Sequence, residues 1–351
     1  MKIKLAIFCG CYGKHPFGGP AIRMRNIAEM LSEHNIDFNI FHNHDCHEDY
    51  YRPEAIKISR NINKVDLNKF NVFWVEQDFR YVTLLNNKGI EPIIGTNIIP
   101  NSCPQHAIPY MDDLARSKQR IKLINETKRI KTLRGKFWLA QSDFQTKEFR
   151  KMGLDDTISI YQASNPVNIK QFKSSYVDKS KIIIGWTGKN VWQKKPEFLK
   201  EIASELENTI FYYLSERMNE ITYFPDNVKQ ITGNTNIQMP EILNELSIFM
   251  STSVTELQPL GVLEAMACGL PVMAFRTSSL PELVKHNENG ILIDLANREH
   301  YVVEIKRLLK NPDKIKKLGK NARKFIVNNF SYKALFPKYK KFLEKYVRIN
   351  S

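Results

Sequence analysis

Ser253-Val254-Thr255-Glu256-Leu257-Gln258-Pro259-Leu260-Gly261-Val262-Leu263-Glu264-Ala265-Met266-Ala267 is the stretch on which the reading of the fold turns. An apolar run, Ile248–Ser251, precedes it and reads as a buried strand. A polar segment broken by Pro259 follows. An apolar helix is then expected over Val262–Ala267, stopped by Gly269. Two carboxylates lie in this strand–loop–helix unit with the spacing E-x7-E. Glu256 falls in the loop, and Glu264 falls in the expected first helical turn, between Leu263 and Ala265. A charged group among apolar neighbours needs a partner. A ribose or sugar diol suits it, because a carboxylate accepts two hydroxyl hydrogen bonds at once. The amides of Gly261, Val262 and Leu263 are expected to point into the same space, where a helix start favours a phosphate.

Outward from this unit, strand-like runs alternate with segments of helical period, the pattern of α/β layers on parallel sheets. Strands are expected at Lys2–Phe8, Phe38–Phe41, Val72–Val75, Pro92–Gly95 and Phe137–Ala140. A helix is expected from Pro20 to Glu33, with proline at the first helical position, where its missing N–H costs nothing. Asn165-Pro166-Val167-Asn168 breaks the pattern. It restarts with strands at Lys181–Trp186, Thr209–Leu214, Val228–Thr232, Pro271–Phe275 and Gly290–Ile293. Helices are expected at Pro196–Leu206, Pro240–Leu246, Arg298–Leu309, Asp313–Asn328 and Tyr332–Tyr346. The expected domains are residues 1–165, residues 175–330 and a terminal helix over 331–351. At about 150 residues per domain, a chain of 351 residues has room for two cores.

Two more loops could meet an anion. Gly18-Gly19-Pro20 joins the first strand to the first helix, and glycines there let backbone amides approach a phosphate. It is not the G-x-G-x-x-G of dinucleotide folds, and an ordinary tight turn would look the same. Gly188-Lys189 and Lys194 lie on a loop after the strand Lys181–Trp186, at the sheet end where ligands of α/β folds bind. Two cations so placed match a diphosphate, although a solvated basic loop has the same composition.

Composition narrows the classes. Hydrophobic residues make up 42% of the chain, which excludes a disordered tail. No apolar run is long enough to span a bilayer. The opening Met1–Cys9 resembles the start of a signal peptide, but its apolar part is short and runs into Gly10 and Gly13, so it reads as a buried strand. Five scattered cysteines with no C-x-x-C suggest a reducing compartment and neither a disulfide nor a zinc framework. The net charge is +15, and 36 of the 52 basic residues are lysine. Arg116–Lys136 carries nine basic residues and one acid, with Leu114, Ile121, Ile124, Ile130 and Leu133 at near-helical spacing. One reading is a packed helix with a solvated basic face; the sharper one is an interfacial helix meeting anionic lipid or a charged acceptor. Nucleic acid is disfavoured, because no interleaved aromatic and basic motif is present.

The block from Ser253 to Asp294 resembles the glycosyl transferases group 1 domain of glycosyltransferase family 4. The matching residues are Glu256, Gly261, Leu263, Glu264-Ala265-Met266-Ala267, Gly269-Leu270-Pro271-Val272, Pro281-Glu282-Leu283-Val284 and Asn289-Gly290-Ile291-Leu292. Gly188-Lys189 with Lys194 resembles the family's G-R-x4-K loop, and Asn165–Asn168 its interdomain N-G-V-D. The resemblance implies a GT-B fold: two Rossmann-like α/β domains, with the last helix returning to the first. It implies a retaining, metal-independent sugar transfer from a nucleotide-diphosphate sugar, with UDP as the expected carrier and no cofactor. Glu264 would hold the ribose and Glu256 the donor sugar. Lys189 and Lys194, with the Gly18-Gly19 amides, would neutralise the leaving diphosphate. A glycan or lipid-linked acceptor and a cytoplasmic place, peripheral to the membrane, complete the expectation. Three departures stand out. Lys189 replaces an arginine, Ser278-Ser279 replaces a common glycine pair, and Asn97 stands where many members have histidine. Asn97 can hydrogen-bond a sugar but cannot titrate. A GT-B epimerase, or a protein that binds nucleotide sugars without transfer, is the alternative.

Overall fold

Strand Lys4–Cys9 (β1) is buried from Leu5 onward, and helix Gly19–Glu33 (α1) returns beside it. This unit repeats through two compact bodies. The computed structural model describes residues 2–10, 12, 19–45, 52–95, 133, 135–175, 181–215, 223–233 and 236–350. Of these, residues 2–95, 133–166 and 332–350 form one body and residues 167–331 the other.

In the first body β1 and α1 are followed by β2 (Asp37–His42), β3 (Ala55–Lys57), β4 (Val72–Glu76), α2 (Phe79–Asn86), β5 (Ile93–Gly95), β6 (Phe137–Ala140), α3 (Asp143–Lys151) and β7 (Ser159–Gln162). All adjacent strands pair parallel, in the order β3-β2-β1-β4-β5-β6-β7. The strands β4 and β6 are buried at every residue, as a sheet covered on both faces requires.

The second body runs β8 (Ile183–Thr187), α4 (Pro196–Glu205), β9 (Ile210–Ser215), β10 (Val228–Thr232), α5 (Met239–Glu245), β11 (Ile248–Ser251), α6 (Leu260–Ala267), β12 (Val272–Phe275), α7 (Leu280–Leu283), β13 (Gly290–Ile293), α8 (Arg298–Leu309) and α9 (Pro312–Phe330). Its strand order is β10-β9-β8-β11-β12-β13, again all parallel. Numbered within the body, that is 3-2-1-4-5-6, the doubly wound order. The order reverses between β8 and β11, and ligands of such sheets bind beyond the strand ends at that reversal. Its core gathers Ile184, Phe211, Met250, Met273, Ile291 and Leu318 among others.

The last helix, α10 (Tyr332–Asn350), belongs to the first body, as expected for a returning terminal helix. Its apolar residues Leu335, Phe342, Leu343 and Val347 are buried there. Three tyrosine hydroxyls tie it down: Tyr332 donates to Glu29 at 2.7 Å, Tyr339 to the Ser164 carbonyl at 2.8 Å and Tyr346 to the Glu91 carbonyl at 2.8 Å.

Candidate functional site

The two loops singled out in the second half of the sequence leave adjacent strands at the reversal point. The lysine loop follows β8, and the glutamate loop follows β11, to which β8 is paired. Backbone hydrogen bonds stitch the loops together. The Val254 amide donates to the Gln193 carbonyl at 2.8 Å. Thr252 donates to the Lys194 carbonyl at 2.6 Å and accepts from the Trp186 indole at 2.8 Å. Trp186 is therefore a core residue that braces the loop: it is buried and stacks on Tyr213 at 4.9 Å. Met266 and Met273 are likewise core.

Glu256 and Lys194 form an ion pair across the two loops, with side chains 12% and 27% exposed. The Glu256 carbonyl also accepts the Ser279 amide at 3.3 Å, so a third loop, after β12, supports it. Ser278 there sits at φ 49° and donates to the Thr255 hydroxyl at 3.1 Å. Lys189 is exposed on the same loop as Lys194. The Gly188 amide donates to the Leu214 carbonyl at 3.1 Å, and a Cβ at Gly188 would meet the Trp186 ring at 2.8 Å. Glycine is thus required for the loop to cross the indole.

Helix α6 begins at Leu260, two residues before the expected start. This moves Glu264 from the first turn into the second. It also corrects one of the expected phosphate donors. The Leu263 amide is taken by the Pro259 carbonyl at 3.2 Å, closing the first helical turn. The amides ahead of it are those of Leu260, Gly261 and Val262, the positions that have no intrahelical acceptor. Gly261 lies against the end of β8, where a Cβ would stand 2.8 Å from Thr187 Cγ2.

Glu264 is buried, and Asn236 is one partner, whose amide donates to Oε1 at 2.9 Å. Asn236 is itself buried, and its carbonyl accepts from Gln171 at 3.0 Å. Sequence reading missed Asn236 and Gln171.

In the first body Gly19 opens α1, and a Cβ there would meet nothing within 4 Å, so sterics do not demand this glycine. Gly18, Asn97 and nearly all of Arg116–Lys136 lie outside the described residues. Two unforeseen polar clusters sit at the strand ends. Glu76, fully buried at the end of β4, meets Arg23 at 3.3 Å and the Trp74 indole at 3.0 Å. Asp78, just beyond, is gripped by Arg80 through Nε and Nη2, each at 2.7 Å. Burial would raise the Asp78 carboxyl, but Arg80 and then Arg60 hold it below the usual carboxylate range. Among the described residues no group of three His, Cys, Asp and Glu side chains converges as a metal set, and no helix is long and apolar enough to cross a membrane.

Residues 170–325 match the family model described as glycosyl transferases group 1. Over 154 residues the chain is 30% identical to the UDP-Gal:alpha-D-GlcNAc-diphosphoundecaprenol alpha-1,3-galactosyltransferase of Escherichia coli, covering 40% of this chain and 39% of that one. The matched segments span only 19% to 39% of the length of the curated relatives they align with. Whole-chain similarity is structural. Sucrose-phosphate synthase from Thermosynechococcus elongatus superposes with a TM-score of 0.76 at 15% identity, covering 97% of this chain and 98% of that one. Anabaena HepE in complex with UDP-glucose gives 0.71 at 15% identity, covering 97% and 99%. These likenesses establish the GT-B fold, as the sequence reading expected.

Proposed function

From a chain that carries a glycosyl transferases group 1 domain on a GT-B fold, we propose a retaining glycosyltransferase that moves a sugar from a UDP-sugar to a hydroxyl acceptor. One observation carries the reading. Lys194 and Glu256, and the start of α6 ahead of Glu264, occupy the loops at the reversal point of the second sheet. That is where a doubly wound sheet holds a nucleotide.

Each side chain then has a role. Glu264, held by Asn236, accepts the ribose hydroxyls. Lys194 and Lys189 face the diphosphate, joined by the Leu260, Gly261 and Val262 amides. Glu256 accepts hydroxyls of the donor sugar. As the sugar–phosphate bond breaks, negative charge grows on the departing diphosphate. Fixed cations and amides stabilise that charge without reorganising, the largest expected term in the catalysis. The chain needs no metal in this scheme, since the lysines supply the positive charge. Retention follows the family resemblance and assigns no protein nucleophile. A glycan or lipid-linked precursor is the proposed acceptor, consistent with the diphosphoundecaprenol acceptor in the name of the galactosyltransferase relative. Asn97 is assigned to the acceptor or sugar pocket. The proposed location is the cytoplasm, at the inner face of the membrane.

The reading is tested by donor hydrolysis, with UDP-sugars supplied as a panel. Glu256→Ala and Lys194→Ala should each lower turnover by about 10² or more, the usual scale for losing one charge-stabilising group. Unchanged turnover in both variants would remove the site assignment.

A further inference from the structure

The Lys194–Glu256 pair has a consequence for the order in which ligands hold and leave the site. The backbones on both sides are pinned: Gln193 and Lys194 by Val254 and Thr252, Glu256 by Ser279. The side chains are therefore the adjustable parts. They have each other as partners, in a position where Glu256 is only 12% exposed. A ligand that takes Lys194 must separate it from Glu256, and a carboxylate with so little water around it then needs new donors. The two halves of a nucleotide sugar answer both demands: the diphosphate replaces Glu256 on Lys194, and sugar hydroxyls replace Lys194 on Glu256. A nucleoside diphosphate without its sugar answers only the first.

We propose that the Lys194–Glu256 ion pair discriminates the intact donor from the spent nucleotide, opening for the nucleotide sugar and closing again to release the nucleoside diphosphate. The inference rests on the donor-site reading above. After transfer Glu256 loses the hydroxyls that compensated it, recaptures Lys194 and weakens the hold on the product. Glu256 is thus a specificity-determining residue as well as a sugar contact, and its carboxylate acts against product affinity.

Isothermal titration of the full-length chain with UDP and UDP-glucose tests this, with GDP-mannose and ADP-glucose alongside to fix the base. Glu256→Gln keeps the shape but removes the charge, freeing Lys194. It should bind the nucleoside diphosphate about three- to fivefold more tightly than the unsubstituted protein, the scale of one partly screened ion pair. The affinity advantage of the nucleotide sugar over the diphosphate should shrink in the same variant. On a Lys194→Ala background the Glu256→Gln substitution should change diphosphate affinity by less than about twofold, because no cation remains to be freed. Glu256→Ala, with its melting temperature checked, provides a second variant expected to move in the same direction. Unchanged or weaker diphosphate binding in Glu256→Gln, with Lys194→Ala still weakening it, overturns the inference and leaves the donor site standing. If no nucleotide binds the unsubstituted chain, the donor-site reading falls and the inference with it.

Discussion

Glu264 shows how one buried charge is tolerated. It lies on an apolar helix with 4% exposure, and the Asn236 amide at 2.9 Å offsets part of its lost hydration. Asn236→Leu would remove one donor from the buried carboxylate and should destabilise the second body by about 1–3 kcal/mol, read as a lower melting temperature. It should also weaken nucleotide binding, since Glu264 would no longer be held in place. His42 presents the opposite balance. Its ring is buried, Nδ1 lies 2.8 Å from the His44 carbonyl, and burial lowers its pKa below the ordinary 6.5. The folded chain therefore binds fewer protons at His42 than the unfolded chain. Its contribution to stability is fully present above the unfolded value of 6.5 and is lost as pH falls through the lower folded value. Melting of the first body should decline from pH 6.5 downward, and His42→Asn, which keeps a donor for the carbonyl, should flatten that decline. An unchanged slope in the variant would mean that another group titrates there.

Among the elements, α6 and α9 cross closely because two glycines meet. Gly269 ends α6 at φ 82°, in the left-handed position that closes a helix, and its carbonyl would lie 2.1 Å from a Cβ at Gly319 in α9. Gly319→Ala therefore forces backbone against backbone. It should cost about 1–3 kcal/mol, measured by thermal or urea unfolding, by overpacking the crossing. Elements whose cause is local were legible in the sequence. The stretches Phe137–Ala140, Val228–Thr232, Ile248–Ser251, Gly290–Ile293 and Arg298–Leu309 match the expected residues end to end. Others carry no strong local signal. The edge strand β3 is three residues, half-exposed to exposed, and the edge strand β7 lacks a fully buried residue, so neither shows an apolar run. Helix α3 has strongly polar composition and is marked by its Ser142 cap to the Gln145 amide at 3.2 Å rather than by periodicity. The start of α6 was set two residues late because Pro259 was read as loop rather than as the residue capping the helix. Glu256, Glu264 and Lys194 stand out in the sequence by residue type and spacing, and the fold places Glu256 and Lys194 on adjacent loops as an ion pair. Asn236 has no such mark, since it meets Glu264 only through the fold of a separate segment.

At the scale of the whole molecule, the first body is assembled from distant parts of the chain, and its joining point is a buried ion pair. Arg23 of α1 meets Glu76 of β4 at 3.3 Å, with side chains 2% and 0% exposed. The same guanidinium donates to the Ala163 carbonyl at 3.1 Å and to Asn165 at 2.5 Å, just before the chain leaves this body. Tyr339 of α10 packs at this point, with its hydroxyl on the Ser164 carbonyl at 2.8 Å. Gly95 completes the enclosure, since a Cβ there would stand 2.0 Å from Glu76 Oε2. Breaking such a pair on one side leaves a desolvated charge behind, which costs about 3–5 kcal/mol, whereas removing both partners for apolar groups is often nearly neutral. Arg23→Met and Glu76→Leu should each lower the stability of the first body by about that amount, and the double variant should recover most of the loss. Urea unfolding followed by tryptophan fluorescence can separate the bodies, because Trp74 and Trp138 lie in the first and Trp186 in the second. Only the transition carrying Trp74 and Trp138 should move. A double variant as unstable as the sum of the singles would show that the guanidinium's bonds to Ala163 and Asn165, and not its pairing with Glu76, hold these segments together.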